Sequence, residues 1–363
     1  MFQKIKNWLN TNNHLLWFSI SALMIIGLIS VYFIGAYESA RIGYNSEFFF
    51  NKYWPYALVG LLIMVGFSRL SKKSIIRISW WWLVIGLLMM LSTLIMPMQI
   101  NGSARYVRLL MWIFDPFVLT IPAYIVLMSH WLSKKLTKPT LSILGMALLT
   151  LFIVGTAILA PYIFIAQVYS LLFIWLTFKA RKNVPGLSKV YIIALVILVA
   201  VIALAISTQP HVQARLAHVF YAPQYSQVGI SIDAIKNSTL IGNTPESLRW
   251  LSILPESSTD FVFTGILAKF GILMGLLVSV LYACVAKGLI NIAKTTKDKF
   301  KEILTFGTLG LLAMYVIISV TNTFGVFVAS AYLPFISFAN MSLLTWCALF
   351  GFVLAKVNSK NIA

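Results

Sequence analysis

The stretch Leu-Pro-Glu-Ser-Ser-Thr-Asp-Phe-Val-Phe, residues 254–263, sets two carboxylates, Glu256 and Asp260, four positions apart in a chain with only nine acidic residues. That spacing puts both on one face of a helix, and Pro255 suits a first helical turn. The positive end of such a helix stabilises a carboxylate by roughly 0.3–1 kcal/mol, so the acids stay ionised beside an apolar run. An ionised carboxylate there can take a proton from a hydroxyl, which is general-base chemistry. The plainer alternative is that Thr259 or Asp260 merely caps the helix. Arg105, Arg108, Arg215 and Arg249 fall on the same side of the chain's alternating polar connections. Guanidinium groups grip phosphate oxygens in pairs, although each of these can equally snorkel to ordinary lipid phosphates. Lys269 and Asp115 stand within apolar runs, where a charge invites a functional reading. Pro116 directly after Asp115 favours a structural one, the acid satisfying backbone N–H groups at a helix break. Glu38 and Glu47, in a short tyrosine-rich segment, are read as solvated. Four scattered histidines have no ligand spacing, and Cys284 and Cys347 lie in apolar spans as small hydrophobes, so no metal centre is expected.

The elements that must carry these residues are membrane spans. Sixty per cent of the 363 residues are hydrophobic and ten per cent charged, which leaves too little charge to coat a soluble domain. At about 20 apolar residues per crossing, the runs predict ten helices over 15–37, 54–70, 75–97, 109–132, 140–159, 161–178, 189–207, 261–286, 303–322 and 332–355. The first run is too long for the core of a signal peptide and is expected to be retained. Twenty of the 28 basic residues fall on alternate connections, at Lys4 and Lys6, Arg69–Arg77, Lys134–Lys138, Lys179–Lys189, Lys287–Lys301 and Lys356–Lys360. By the positive-inside rule both termini are cytoplasmic. The net charge of +19 is thereby explained by topology and does not imply nucleic acid. Residues 140–178 lie between two basic connections and must cross twice, bending near Pro161. The fold class is therefore all-α, a polytopic integral membrane protein read as one domain over 1–363. Its one long external segment, 208–260 between spans seven and eight, is expected to carry short surface helices such as Gln224–Asn237.

Three segments resemble a known family. Residues 254–263 are similar to the "LPEAHTDFIF" segment of the SEDS proteins, the ten-helix peptidoglycan glycosyltransferases that include FtsW, RodA and SpoVE. Asn-Gly-Ser-Ala-Arg-Tyr-Val at 101–107 resembles "NGARRWI", and Leu-Pro-Phe-Ile-Ser-Phe-Ala-Asn-Met-Ser-Leu-Leu at 333–344 resembles "LPFISYGGSSLL". All three stand in family order, and residues 211–243 look more like FtsW than RodA. The resemblance implies polymerisation of lipid II at the outer face of the bacterial cytoplasmic membrane, at the division septum for an FtsW-like member. It places the catalytic aspartate at Asp260, its companion acid at Glu256 and the loop arginine at Arg105. Arg249, Arg108, Arg215 and Lys269 are further candidates for the leaving pyrophosphate. It implies a class B penicillin-binding protein and other divisome membrane proteins as partners. No cofactor is expected, any divalent cation being held by the substrate's own pyrophosphate.

The chain also departs from that pattern. Ser258 stands for the family histidine, and Val118 for the glutamate of "QPxE". Ala160-Pro161-Tyr162 stands for "QPD", and Ala329 lies where a lysine is expected. Ala268 and Lys269 replace two glutamates, Ala339 and Asn340 two glycines, and about three extra residues fall between Asn243 and Pro255. Losing a charge contact to the leaving group costs on the order of 2.7–4 kcal/mol of transition-state stabilisation. A weakly active scaffold recruiting the penicillin-binding protein, and a RodA-type elongation polymerase, are therefore the alternatives. A transporter is disfavoured, because paired broken helices and repeats are not evident.

Overall fold

The computed structural model describes residues 14–96, 98–100, 103–109, 112–134, 139–181, 203, 223, 225–326 and 329–355. Helices α1 (His14–Arg41), α2 (Phe48–Phe67) and α3 (Lys72–Ile95) lead into three short strands, β1 (Met98–Ile100), β2 (Ser103–Leu109) and β3 (Trp112–Phe114). Then come α4 (Pro116–Ser133), α5 (Pro139–Leu159), α6 (Ile163–Ala180), α7 (Gln227–Lys236), α8 (Pro245–Ile253), α9 (Val262–Phe270), α10 (Ile272–Thr295), α11 (Lys299–Thr323) and α12 (Asn340–Leu354). Among the described residues eight helices are long and apolar enough to cross a membrane, with α12 a shorter apolar helix. Large apolar side chains such as Leu62, Leu88 and Leu276 point outward, more than half exposed. Outside a bilayer that would be unstable; within one, helices satisfy every backbone group internally. The chain is a polytopic all-α membrane protein. The expected span 189–207 and Arg215 lie outside the described residues.

Several expectations need correcting. The fourth span does not begin at 109. Residues 103–109 and 112–114 form an antiparallel hairpin, with Val107 opposite Phe114 and Leu109 opposite Trp112, and the helix starts at Pro116. The reason is local: Asp115 is the N-cap, accepting from Phe117 N (3.1 Å) and Val118 N (3.2 Å), with proline as the first helical residue. Asp115 thus sits at the head of the span, in the structural role that Pro116 suggested. The tenth span starts at Asn340, because residues 333–339 form turns. The eighth span is broken: Gly271, at φ +92°, separates α9 from α10. The bend near Pro161 is present between α5 and α6, and α7 is the expected short helix, capped by Ser226.

The chain divides into two compact units. The first is Met1–Gly60, Gln209–Leu289 and Leu312–Leu343; the second is Leu61–Thr208, Ile290–Leu311 and Leu344–Ala363. In the second, α3 crosses α4 where Gly86 faces Thr120, and a Cβ at 86 would lie 2.2 Å from its hydroxyl. Small residues at such crossings let helices close without a hydrophobic driving force. Lys72 pairs with Asp298 at 2.8 Å, and Lys301 donates to the Ala355 carbonyl, tying helix ends in this unit. In the first unit, Gly27 of α1 faces the backbone of Phe335, and a Cβ there would lie 2.3 Å from the Phe335 carbonyl. That close approach brings the 333–339 turns onto α1.

Candidate functional site

Residues 255–261 form a turn, and α9 begins only after it, with Phe261 as an N-cap that supplies no side-chain bond. Glu256 and Asp260 therefore do not occupy the first helical turn, and neither Thr259 nor Asp260 caps it. Glu256 takes the left-handed conformation, φ +56°, and its carbonyl accepts from both Thr259 N (3.1 Å) and Phe261 N (3.0 Å). A non-glycine residue held there is an unfavourable local conformation that surrounding contacts must impose. Those contacts are present. Glu38 Oε2 accepts from Ser258 N at 3.0 Å and from the Ser258 hydroxyl. Phe338 N donates to the Ser258 carbonyl (2.8 Å), and the Ser337 hydroxyl donates to the Thr259 carbonyl (2.8 Å) while accepting from Leu333 N (2.8 Å).

Two sequence motifs separated by some seventy residues thus meet in the first unit, 254–263 against 333–344. The second is itself anchored: Tyr53 donates to the Phe335 carbonyl (3.1 Å), Tyr282 to the Pro334 carbonyl, and Phe49 meets Phe338 edge-on at 4.7 Å. Ser257 and Ser258 are fully buried and Asp260 is 7% exposed. A turn whose backbone is bonded on three sides holds one carboxylate in a narrow range of positions, which is what proton abstraction at a fixed atom requires.

Glu38 is the residue missed. It is buried and 3.6 Å from Arg41, and is not the solvated acid expected. The pair Glu38 and Arg41, three apart at a helix end, was the only local sign of it.

Lys269 closes α9. Its amine donates to the Tyr37 hydroxyl (3.2 Å) and lies over the rings of Tyr37 (5.2 Å) and Phe33 (5.8 Å). The carbonyls that the break at Gly271 leaves without helical donors are met by the preceding loop. Ser247 donates to Ala268 O (3.0 Å), Asn243 to Lys269 O (3.0 Å) and Gly242 N to Phe270 O (3.0 Å). Arg249 is on α8, three-quarters exposed, with Glu246 at 3.6 Å. Ala329, where the family pattern has a lysine, is held by Asn322, whose amide oxygen accepts from Ala329 N at 2.9 Å.

Arg105 and Arg108 belong to the second unit. Arg105 is 8% exposed, and its Nε faces Asp115 at 3.6 Å. Its Nη2 donates to the Tyr106 hydroxyl (2.7 Å), and its guanidinium lies 4.1 Å from the centre of the Tyr162 ring. Tyr162 thus stands in the same cluster as the Arg105–Asp115 pair. Burial pushes the Asp115 carboxyl above the ordinary aspartate range, while Arg105, two backbone N–H groups and Tyr162 pull it back. Asp115 and Tyr162, the latter in the segment that stands for "QPD", are thus one constellation around Arg105. Arg108 is exposed on β2, opposite Ile113.

Comparisons with known proteins cover nearly the whole chain. A putative peptidoglycan glycosyltransferase FtsW of Mesostigma viride is 25% identical over 361 residues, covering 95% of this chain and 83% of that protein. A probable peptidoglycan glycosyltransferase FtsW of Helicobacter pylori strain J99 is 23% identical, covering 95% and 98%. A chain from the structure described as "Structural coordination of polymerization and crosslinking by a peptidoglycan synthase complex" aligns with a TM-score of 0.74 at 20% identity, covering 93% of this chain and 95% of that one. The rod shape determining protein RodA of Thermus thermophilus aligns with a TM-score of 0.69 at 20% identity, covering 93% and 94%. These two likenesses concern the fold. The family of cell cycle proteins defined by FtsW, RodA and SpoVE matches residues 13–361, so all the elements described above fall inside the match, and the chain belongs to that family.

Proposed function

We propose that this protein is a peptidoglycan glycosyltransferase that polymerises lipid II at the outer face of the bacterial cytoplasmic membrane, with Asp260 as general base. The observation that carries the reading is the convergence of the 255–261 and 333–339 turns, which with Glu38 hold Asp260 on a bonded, buried backbone. In the reaction the Asp260 carboxylate takes the proton of the 4-hydroxyl of an acceptor GlcNAc. That oxygen bonds to C1 of the donor MurNAc as the C1–O bond to undecaprenyl pyrophosphate breaks, with inversion. A positioned base contributes about 10²–10⁴-fold.

Arg105, with Arg108, Arg215, Arg249 and Lys269 as further cations, is assigned to the leaving pyrophosphate, and Glu256 to orienting the acceptor. Any divalent ion would be carried by that pyrophosphate. The names of the FtsW relatives support the activity. The likeness to a chain of a synthase complex that couples polymerisation to crosslinking supports a cross-linking partner, assigned here to a class B penicillin-binding protein at the division septum.

The test is polymerisation of labelled lipid II by the purified protein beside Asp260→Asn. Asp260→Asn should lose at least a hundredfold in rate while its melting temperature stays near wild type. Equal polymer from both proteins would remove Asp260 from the mechanism. One observation favours a scaffold instead: no basic residue occurs between Leu309 and Ala355, where the family lysine belongs. On that reading Asp260→Asn supports division in a depletion strain as well as wild type does.

A further inference from the structure

On the second unit, one face of α3 carries two consecutive grooves. The first, about 560 Å³, is lined by Lys73, Ile76, Arg77, Trp80, Trp81 and by His130 of α4. The second, about 420 Å³, is lined by Val84, Leu87, Leu88 and Leu91 with Leu149 and Phe152 of α5, and is wholly apolar. Positions 73, 77, 80, 84, 88 and 91 recur every three or four residues, so both grooves lie along a single stripe.

The chemistry changes along that stripe in the order a phospholipid requires. Lys72, adjacent, is paired with Asp298, but no carboxylate pairs with Lys73 or Arg77 among the described residues. Both are exposed. Trp81 is 68% exposed and Trp80, edge-on to Trp131 at 5.6 Å, is also exposed. Tryptophans so placed mark the level of lipid headgroups. At about 1.5 Å per residue the trough from Val84 to Leu91 lies roughly 10–21 Å along the axis from Arg77. That matches the depth of one leaflet, about half of a ~30 Å hydrocarbon core beneath its headgroups. The basic end of α3 is cytoplasmic by the positive-inside rule, which is the side where anionic lipid and basic pockets between helices meet.

We propose that this stripe is a binding site for an anionic phospholipid of the cytoplasmic leaflet, with Lys73 and Arg77 holding its phosphate and the apolar trough holding one acyl chain. The site is independent of Asp260 and of the polymerase reading.

The test is native mass spectrometry of the full-length protein incubated with dioleoyl phosphatidylglycerol or dioleoyl phosphatidylcholine. Wild type should retain the anionic lipid preferentially. The double variant Lys73→Gln/Arg77→Gln should bind it roughly thirtyfold more weakly and lose the preference over the zwitterionic lipid. Leu88→Trp, which fills the trough, should weaken both lipids. The control Lys287→Gln/Lys294→Gln should change neither. Equal retention by wild type and the Lys73/Arg77 variant would overturn the proposal, and so would an equal loss in the control. Displacement of the lipid by inorganic phosphate would reassign the groove to a soluble anion and also overturn it.

Discussion

Glu38 and Ser258 are 220 positions apart, yet the bond between them is one of those that hold the Asp260 turn. Glu38→Ala leaves a buried N–H and hydroxyl without their acceptor, at a cost of about 1–3 kcal/mol, whereas Ser258→Ala keeps the backbone bond and costs about 1 kcal/mol. Thermal unfolding in detergent should rank them in that order. Polymer formation well below the melting temperature should fall with Glu38→Ala more than with Ser258→Ala. Arg105 permits a pH test. Asp115 already has a raised carboxyl, and Arg105→Met removes its cation and raises it further. A carboxyl raised above its unfolded value of about 3.9 contributes stability below that value, which is lost as pH rises through the folded value. The melting temperature of Arg105→Met should therefore drop relative to wild type as pH rises, and Asp115→Asn in the same background should flatten that dependence. Asp260, Glu256 and Arg105 were legible as candidates from residue type and motif. Glu38 and Tyr162 were not, because their partners are supplied by the tertiary fold, and the neighbouring Arg41 was the one local sign of Glu38.

The break between α9 and α10 shows the limit of reading elements from hydropathy. Residues 261–286 form one apolar run, and only Gly271 hints at an interruption. What makes the interruption tolerable is remote: Thr239 and Leu240 carbonyls accept from Ile272 N (3.0 Å) and Leu273 N (3.1 Å), while residues 242–247 cover the end of α9. Broken helices persist at membrane depth only when such partners exist. Gly271→Ala combines a strained φ with a Cβ 2.8 Å from the Leu240 carbonyl. It should destabilise by about 1–3 kcal/mol, visible as a lower melting temperature. Asn243→Ala removes one carbonyl partner and should cost about 1 kcal/mol. The strand pair 103–109 and 112–114 escaped for a similar reason. Its apolar content suits a helix as well as a strand, and the sequence of Asp115 and Pro116 was the only local mark of the boundary.

For the molecule as a whole, charge distribution did most of the work. Basic residues on alternate connections predicted the topology without reference to packing. In a variant lacking Cys284 and Cys347, Lys236→Cys should react with a membrane-impermeant maleimide in intact cells. Lys294→Cys should react only after permeabilisation. The reverse pattern would invert the topology. The family motifs were legible along the whole chain, but two of them meet in the first unit and the third, with Arg105, builds its own constellation in the second. Linear order alone distinguishes none of this.

The cap on the broken helix has one more consequence, in time. Residues 239–247 precede α9 and α10 in the chain, so a ribosome delivers the acceptors and donors for the interruption before the interruption itself. The awkward segment enters the bilayer with these partners already translated: among the described residues, the groups that bond Ala268, Lys269, Phe270, Ile272 and Leu273 across the break come earlier in the chain.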